Sequence, residues 1–234
     1  MSYPAMTVPP GAQTVRVLEA WSPSPLTRAI RVERPPGLNL VASQALRLVL
    51  TDELMRPMTI ASGPERPHLD FAVQRSDSEF KRRFFALGEG DTLRVGPPRG
   101  AFILERGRPA LMIASGIGIT PFRSMLEALI DEGGALTGAL LHATRGPRDV
   151  PFAEQVDASA PQVGLRLHRQ TGPVSADTLA ALGAQVPDAL WYLSGPVEDV
   201  SAWAEALGAL GVERANLRLE AFRYTGSLSE PEEA

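Results

Sequence analysis

The chain has 234 residues, room for one large folded unit or two of roughly 100 to 130 residues each, and its 44% apolar and 21% charged side chains are the balance of a globular protein with a sizeable core. A net charge of −4 without basic runs argues against nucleic acid or an anionic membrane as partner. The absence of cysteine excludes disulfides, thiolate-held metals, iron–sulfur clusters held by this chain and cysteine nucleophiles, and three scattered histidines (His68, His142, His168) make a poor metal site.

In chain order, the first half reads as short strands separated by turn clusters. They are Val15 to Trp21, Thr27 to Val32, Ala45 to Leu50, Arg56 to Ser62, His68 to Arg75 and Thr92 to Val95, divided by SPSP, RPPG, GPERP and GEGD. Such a series predicts an antiparallel sandwich or barrel. One helix interrupts it, Ser78 to Leu87, with Phe80, Phe84 and Leu87 on one face. From about Gly107 the pattern becomes strand then helix, repeated. Strands are expected at Ala110 to Ala114, Ala139 to Ala143, Gly164 to Arg169, Ala189 to Leu193 and Asn216 to Phe222. Between them, Phe122, Met125, Leu126, Leu129 and Ile130 form a helical stripe ending at Gly133-Gly134. Further helices are expected near Pro151 to Val156, Ser175 to Leu182 and Val197 to Leu210. This alternation predicts a parallel sheet covered by helices on both faces. The expected division is 1–104, an antiparallel barrel, and 105–234, an α/β unit.

Three segments carry chemistry. IASGIGITP leaves a buried strand, turns on Gly116 and Gly118 and enters a helix, with Thr120 expected as N-cap and Pro121 at the first helical position. Backbone amides there, together with the helix dipole, suit a phosphate; a plain strand-to-helix turn remains the alternative. LSGPVED is a second strand end of the same kind, and in an open parallel sheet both fall where ligands bind. RPMTIAS places one guanidinium and a hydroxyl three residues apart on a strand. Lys81 is the only lysine, which excludes a Gly-Lys-Ser/Thr phosphate loop and a Tyr-x-x-x-Lys dehydrogenase pair.

RPMTIAS, then SDSEFKRRFFALGEGDTLRVGPPRGAF, SGIGITP, LLHATRGPRDVPFAEQ, LSGP and LRLEAF follow one another in the order found in the ferredoxin–NADP reductase superfamily, which the chain resembles from Thr14 to about Tyr224. The resemblance implies an FAD-binding antiparallel barrel followed by an NAD(P)-binding α/β domain, with hydride passing from NADPH or NADH to the flavin. The family's Arg-x-Tyr-Ser/Thr motif falls on Arg56, Pro57, Met58 and Thr59, so Arg56 would neutralise a flavin phosphate and Thr59 would bond the ring near N5. A surface ion pair of Arg56 with Asp52 or Glu53 is the other reading. By the same resemblance Val73, Arg75, Ser78 and Lys81 contact the flavin, the last two at the start of a helix under its phosphates. Gly116, Gly118, Thr120 and Pro121 match the nucleotide pyrophosphate loop, and Ser194, Gly195 and Pro196 match a Cys-Gly-Pro beside the nicotinamide. Thr144 and Arg145 fall where relatives meet the adenosine ribose or its 2′-phosphate, which favours NADP unless Arg145 pairs with Asp149. Glu220 and Tyr224 fall where relatives place an acid and an aromatic against the active site, although EAFRYTG departs from the commoner Phe-x-Gly-Tyr.

The expected protein is a cytoplasmic flavoprotein reductase, since neither a leader-like start nor a bilayer-spanning apolar stretch is seen. Catalysis falls to Thr59, Ser194 and Glu220, and electrons pass to a separate redox protein or small-molecule acceptor. One alternative is a non-catalytic or electron-transfer subunit with weak or lost flavin, suggested by Met58 where relatives stack a tyrosine. Another, a dehydrogenase without flavin, is disfavoured by the β-rich first half. The histidines read as structural.

Overall fold

The computed structural model describes residues 7–223. Its first half holds six antiparallel strands: β1 (Gln13–Ser24), β2 (Thr27–Glu33), β3 (Ala45–Thr51), β4 (Leu54–Thr59), β5 (His68–Gln74) and, after helix α1 (Glu79–Ala86), β6 (Thr92–Val95). They lie in the order β4-β3-β6-β1-β2-β5. The sheet curls on itself because the chain changes partner at the end of β4. Thr59 still faces Ala45 of β3, but the Ala61 amide donates to the Asp70 carbonyl of β5 at 2.8 Å. The strand expected to run through Ser62 therefore stops at Thr59, and the residues after it close the barrel. β1 is longer than its alternation suggests because it serves two partners, β6 along residues 13–16 and β2 beyond them. Val15, Ile30, Leu46, Leu48 and Phe71 fill the interior. Ser78 caps α1 as expected, its hydroxyl accepting from the Lys81 amide, and Phe80 and Phe84 are the buried face.

The second half is an alternating α/β layer. β7 (Ala110–Ser115), α2 (Thr120–Asp131), β8 (Gly138–Thr144), α3 (Ala153–Gln162), β9 (Leu165–Thr171), α4 (Ala176–Gln185), β10 (Leu190–Pro196), α5 (Val197–Ala209) and β11 (Leu217–Phe222) follow in sequence. The strands are all parallel, in the order β11-β10-β7-β8-β9. Phe122, Met125 and Leu126 of α2 and Val156 and Ala160 of α3 cover one face. Leu179 and Leu182 of α4 and Val200, Trp203 and Leu207 of α5 cover the other. α3 runs six residues past its expected end. Val156 and Ala160 continue its buried face at i, i+4, but a stripe that includes alanine is a weak signal in sequence.

One expected detail is corrected. The segment Gly116–Ile119 forms a 3-10 turn that runs straight into α2, so Ile119, not Thr120, is the N-cap, and Thr120 and Pro121 are the first two helical residues. The Thr120 hydroxyl turns back to the Ile117 carbonyl at 3.2 Å, because the preceding turn already continues the helical path.

Candidate active site

The chain runs outward from β7 through β8 to β9, then returns to lay β10 on the other side of β7. β7 and β10 therefore flank the point where strand order reverses, the place where parallel sheets leave a crevice at their carboxyl ends. GIGIT leaves β7 there and SGP ends β10. The two segments are in close contact: a Cβ at Gly118 would lie 2.3 Å from the Ser194 carbonyl oxygen, and one at Gly195 would lie 2.8 Å from the Ser115 Cβ. These glycines are needed first for packing of loop on loop, whereas Gly116, at φ +51° and with an added Cβ only in ordinary contact with Gln74 Oε1 at 3.7 Å, is needed for its backbone conformation. The Ser115 hydroxyl donates to Asp199 of α5 at 2.6 Å and ties the loops together.

Ser194 is 1% exposed, and its hydroxyl has no hydrogen-bond partner among the described residues. A buried hydroxyl left unpaired is costly, so this atom points to a ligand. Ser194 sits directly across the parallel ladder from Glu220 of β11. Glu220 in turn accepts a 3.0 Å hydrogen bond from the Thr59 hydroxyl, at the end of β4 in the barrel. The three residues expected to carry catalysis, 161 positions apart at the extreme, are thus neighbours. Burial raises the Glu220 carboxyl above its ordinary value, and the Thr59 bond opposes that shift only in part.

The candidate flavin residues surround α1. The Arg56 guanidinium lies 5.9 Å from the Phe80 ring in the first turn and donates to the Met55 carbonyl. Asp52 pairs with Arg94 and Glu53 accepts from Thr51, so the alternative ion pairs of Arg56 are not formed. Arg75 follows the end of β5, past Val73, and stacks on Phe85 at 4.5 Å. Burial lowers the Lys81 ammonium to about 8 at the third position of the helix, where the dipole also disfavours a cation. A phosphate at this end would reverse both effects. Arg56, Arg75, Ser78 and Lys81 fit the anionic end of a flavin, and Thr59 with the unpaired Ser194 hydroxyl fits its redox end. Pro57 and Met58 lie on β4 between them, Met58 half-buried against the barrel core. Tyr224 lies outside the described residues.

Thr144 is buried and its hydroxyl bonds the Gly146 carbonyl, while Arg145 is exposed. An open cleft of about 680 Å³ runs past Thr144 and Arg148 to Arg169 and Thr171. Two features here were not anticipated from sequence. Asp149, offered to Arg145 on spacing alone, instead accepts from the Ser24 hydroxyl (2.6 Å), the Leu26 amide (3.1 Å) and the Gln74 side chain (2.9 Å), all in the barrel. His142 is buried as expected, but it also props the turn that follows β7. Its Nε2 lies 2.9 Å from the Gly116 carbonyl and its Nδ1 faces the Arg169 guanidinium. A guanidinium only donates, so Nδ1 accepts and Nε2 carries the proton given to Gly116. Burial, with help from Arg169, lowers His142 from 6.5 to about 4. The unfolded chain then binds more protons between those values, so stability should fall as pH drops from 6.5 toward 4, by up to about 3 kcal/mol. Urea midpoints across this range should show the loss, and His142→Gln should lack that component; identical acid profiles would refute it.

Residues 112–182 match the family described as the oxidoreductase NAD-binding domain. The chain is 32% identical to ferredoxin–NADP reductase B of Sorangium cellulosum over 230 residues, covering 85% of this chain and 93% of that protein. The chain belongs to the ferredoxin–NADP reductase family. It is thus an NAD(P)H-dependent flavoprotein oxidoreductase, with FAD as its flavin. It is also 29% identical to the ferredoxin reductase component of the 3-ketosteroid-9-alpha-monooxygenase of Rhodococcus rhodochrous, with 74% of this chain matched, but spans only 52% of that protein. The family fold is seen in a ferredoxin–NADP reductase of Neisseria gonorrhoeae solved with FAD and NADP (TM-score 0.78, 18% identity, 90% of this chain and 98% of that one). It is seen again in the FAD/NAD-binding domain of a Vibrio cholerae nitric oxide dioxygenase (TM-score 0.80, 22% identity, 91% and 99%). No helix among the described residues is long and apolar enough to cross a membrane.

Proposed function

We propose that the reaction takes place between the end of β4 and the switch point of the parallel sheet, with Thr59, Glu220 and Ser194 as the residues touching the reacting groups. The observation that carries this is the 3.0 Å Thr59–Glu220 bond beside the unpaired Ser194 hydroxyl. Bound there, FAD supplies the chemistry no side chain can: it accepts a hydride from NAD(P)H and releases electrons to an acceptor. Residues 1–104 are the flavin unit and 105–234 the nucleotide unit. Arg56 and Lys81 hold phosphate at α1, with Val73, Arg75 and Ser78 beside them. Gly116, Gly118, Thr120 and Pro121 shape the nucleotide loop, and Gly195 and Pro196 hold Ser194 against it. Thr144 and Arg145 receive the adenosine end; Arg148 lies in the cleft that Thr144 lines, and with the adjacent Arg145 it favours NADPH over NADH.

Thr59 serves both oxidation states because a hydroxyl can donate or accept. With Glu220 ionised, the Thr59 proton is directed to the carboxylate and its lone pairs remain for a donor; with Glu220 protonated, the carboxyl can donate to Thr59 and free that proton. A Glu220 carboxyl raised by burial brings this exchange closer to working pH. Purified protein should carry a flavin spectrum that bleaches with NADPH, and a colourless protein unable to bind added FAD would refute the assignment. The acceptor is a redox protein, such as a ferredoxin or an oxygenase component, or a small molecule; an iron–sulfur cluster serving as acceptor would be held outside these 234 residues, which contain no cysteine. The cytoplasm, with its NADPH supply, is the compartment.

Met58 supports a second reading, in which flavin is held loosely. A thioether against the ring forgoes part of the stacking of an aromatic, a difference of about 1 kcal/mol. Met58→Tyr should therefore lower the FAD dissociation constant by about fivefold. Equal or weaker binding would show that residue 58 is off the ring.

A further inference from the structure

Three side chains of α2 hold three consecutive backbone residues that follow β4. Arg123 Nη1 donates to the Ala61 carbonyl at 3.2 Å, the Ser124 hydroxyl donates to the Ser62 carbonyl at 2.7 Å, and Glu127 Oε2 accepts from the Gly63 amide at 2.8 Å. The same groups reach further into the barrel. Arg123 places Nη1 and Nη2 at 3.1 Å from Asp70 Oδ2, on β5, and Nη2 also lies 2.8 Å from Glu127. The Ser124 hydroxyl accepts from the Ser43 amide at 3.0 Å. Asp70 is fully buried and takes a second guanidinium from Arg31, while Arg123 is 7% exposed, its face on the Phe152 ring at 4.8 Å.

The placement of this contact is what makes it informative. Residues 61–63 come two to four positions after Thr59, and α2 begins directly after the Gly116–Ile119 turn. The strand that presents Thr59 and the loop that receives the nucleotide are therefore joined through about one helical turn and a few backbone atoms. We propose that Arg123, with Ser124 and Glu127, is a positioning residue for hydride transfer: it sets the register between the barrel strand carrying Thr59 and the nucleotide loop, and so the alignment of reduced nicotinamide with flavin. This rests on the function proposed above. A contact that served stability alone could join the two halves anywhere along their boundary, whereas this one joins the two segments that bear the reactants. Hydride transfer is steep in donor–acceptor distance, so small slips at this contact reach the rate.

The test compares FAD-loaded wild type with Arg123→Lys and Ser124→Ala. Lysine keeps the charge but offers one nitrogen, which cannot serve Ala61, Asp70 and Glu127 in a planar fork. Rapid mixing with saturating NADPH should show flavin bleaching slowed about tenfold or more in Arg123→Lys and less in Ser124→Ala, from misalignment of a fraction of an ångström. The NADPH KM should change little, and the isotope effect with NADPH deuterated at the transferred position should rise as hydride transfer becomes limiting. Leu182→Ala, on the buried side of α4 at the far face of the sheet, should lower the melting temperature without slowing bleaching. Variants that retain FAD and show the wild-type rate and isotope effect would overturn the proposal, as would losses confined to KM or FAD content. An unbleached wild type overturns the assigned function and this proposal with it. A bleached wild type with unaltered variants overturns this proposal alone.

Discussion

Gly118→Ala is expected to slow NADPH-dependent flavin bleaching by about 10²-fold while leaving FAD in place. The added Cβ would stand 2.3 Å from the Ser194 oxygen, 2.6 Å from its carbonyl carbon and 2.9 Å from the Gly195 nitrogen. All three are backbone atoms, so no side chain can swing aside. The loops cannot part freely either, because Ser115 is bonded to Asp199 and packs on Gly195. Relief requires a shift of the SGP segment, and with it Ser194, at a cost of about 1–3 kcal/mol or more. The FAD contacts proposed around α1 lie on the barrel, away from this shift, and should remain. Gly116→Ala is the comparison: its nearest atom is 3.7 Å away, and only the positive φ is penalised, by about 1 kcal/mol. Transient bleaching rates and FAD content of the two variants decide the matter. A Gly118→Ala enzyme as fast as Gly116→Ala would show that the close approach of these loops is not what aligns the nucleotide.

The largest loss of stability should follow Asp70→Ala. Asp70 is wholly buried between Arg31 and Arg123. Removing one partner of a buried pair costs about 3–5 kcal/mol, because the remaining charge stays desolvated. The lower end applies here: Arg123 retains Glu127, and Arg31, 30% exposed, can turn to water. For a chain of this size, about 3 kcal/mol lowers the melting temperature by roughly 6–12 °C. The ion pair of Arg16 with Glu33, 59% and 40% exposed, sets the scale for a surface contact, and Arg16→Ala should leave the melting temperature almost unchanged. Thermal melts of the two variants that coincide would mean that the Asp70 network is solvated in the protein and carries little stability.

Much of this was legible in the chain, and the reasons are local. Alternation and turn clusters marked the barrel strands, and the 3.6-residue stripe from Phe122 to Ile130 marked α2, because each pattern reflects one face turned to the core. Boundaries were less legible where a residue's partner lies far away. β4 ends at Thr59 because Ala61 pairs with β5, and Thr120 is no N-cap because the turn before it is already helical; neither is visible in neighbouring residues. The same limit applied to the site. Arg56, Ser78 and Gly116 could be proposed from sequence because their motifs lie within single segments. The roles of His142, Asp149 and Arg123 were missed, since each acts on a partner between 26 and 125 positions away.

The sequence by itself determined the class of each half and offered the motif residues as candidates: residue types and periodicity are properties of single segments or of the whole composition. Only the tertiary structure decided that Thr59, Ser194 and Glu220 meet, that the Ser194 hydroxyl has no partner among the described residues, and that Arg123 ties α2 to the residues after β4. Those are relations between segments brought together by packing, where burial decides whether a hydroxyl or a charge must find a partner.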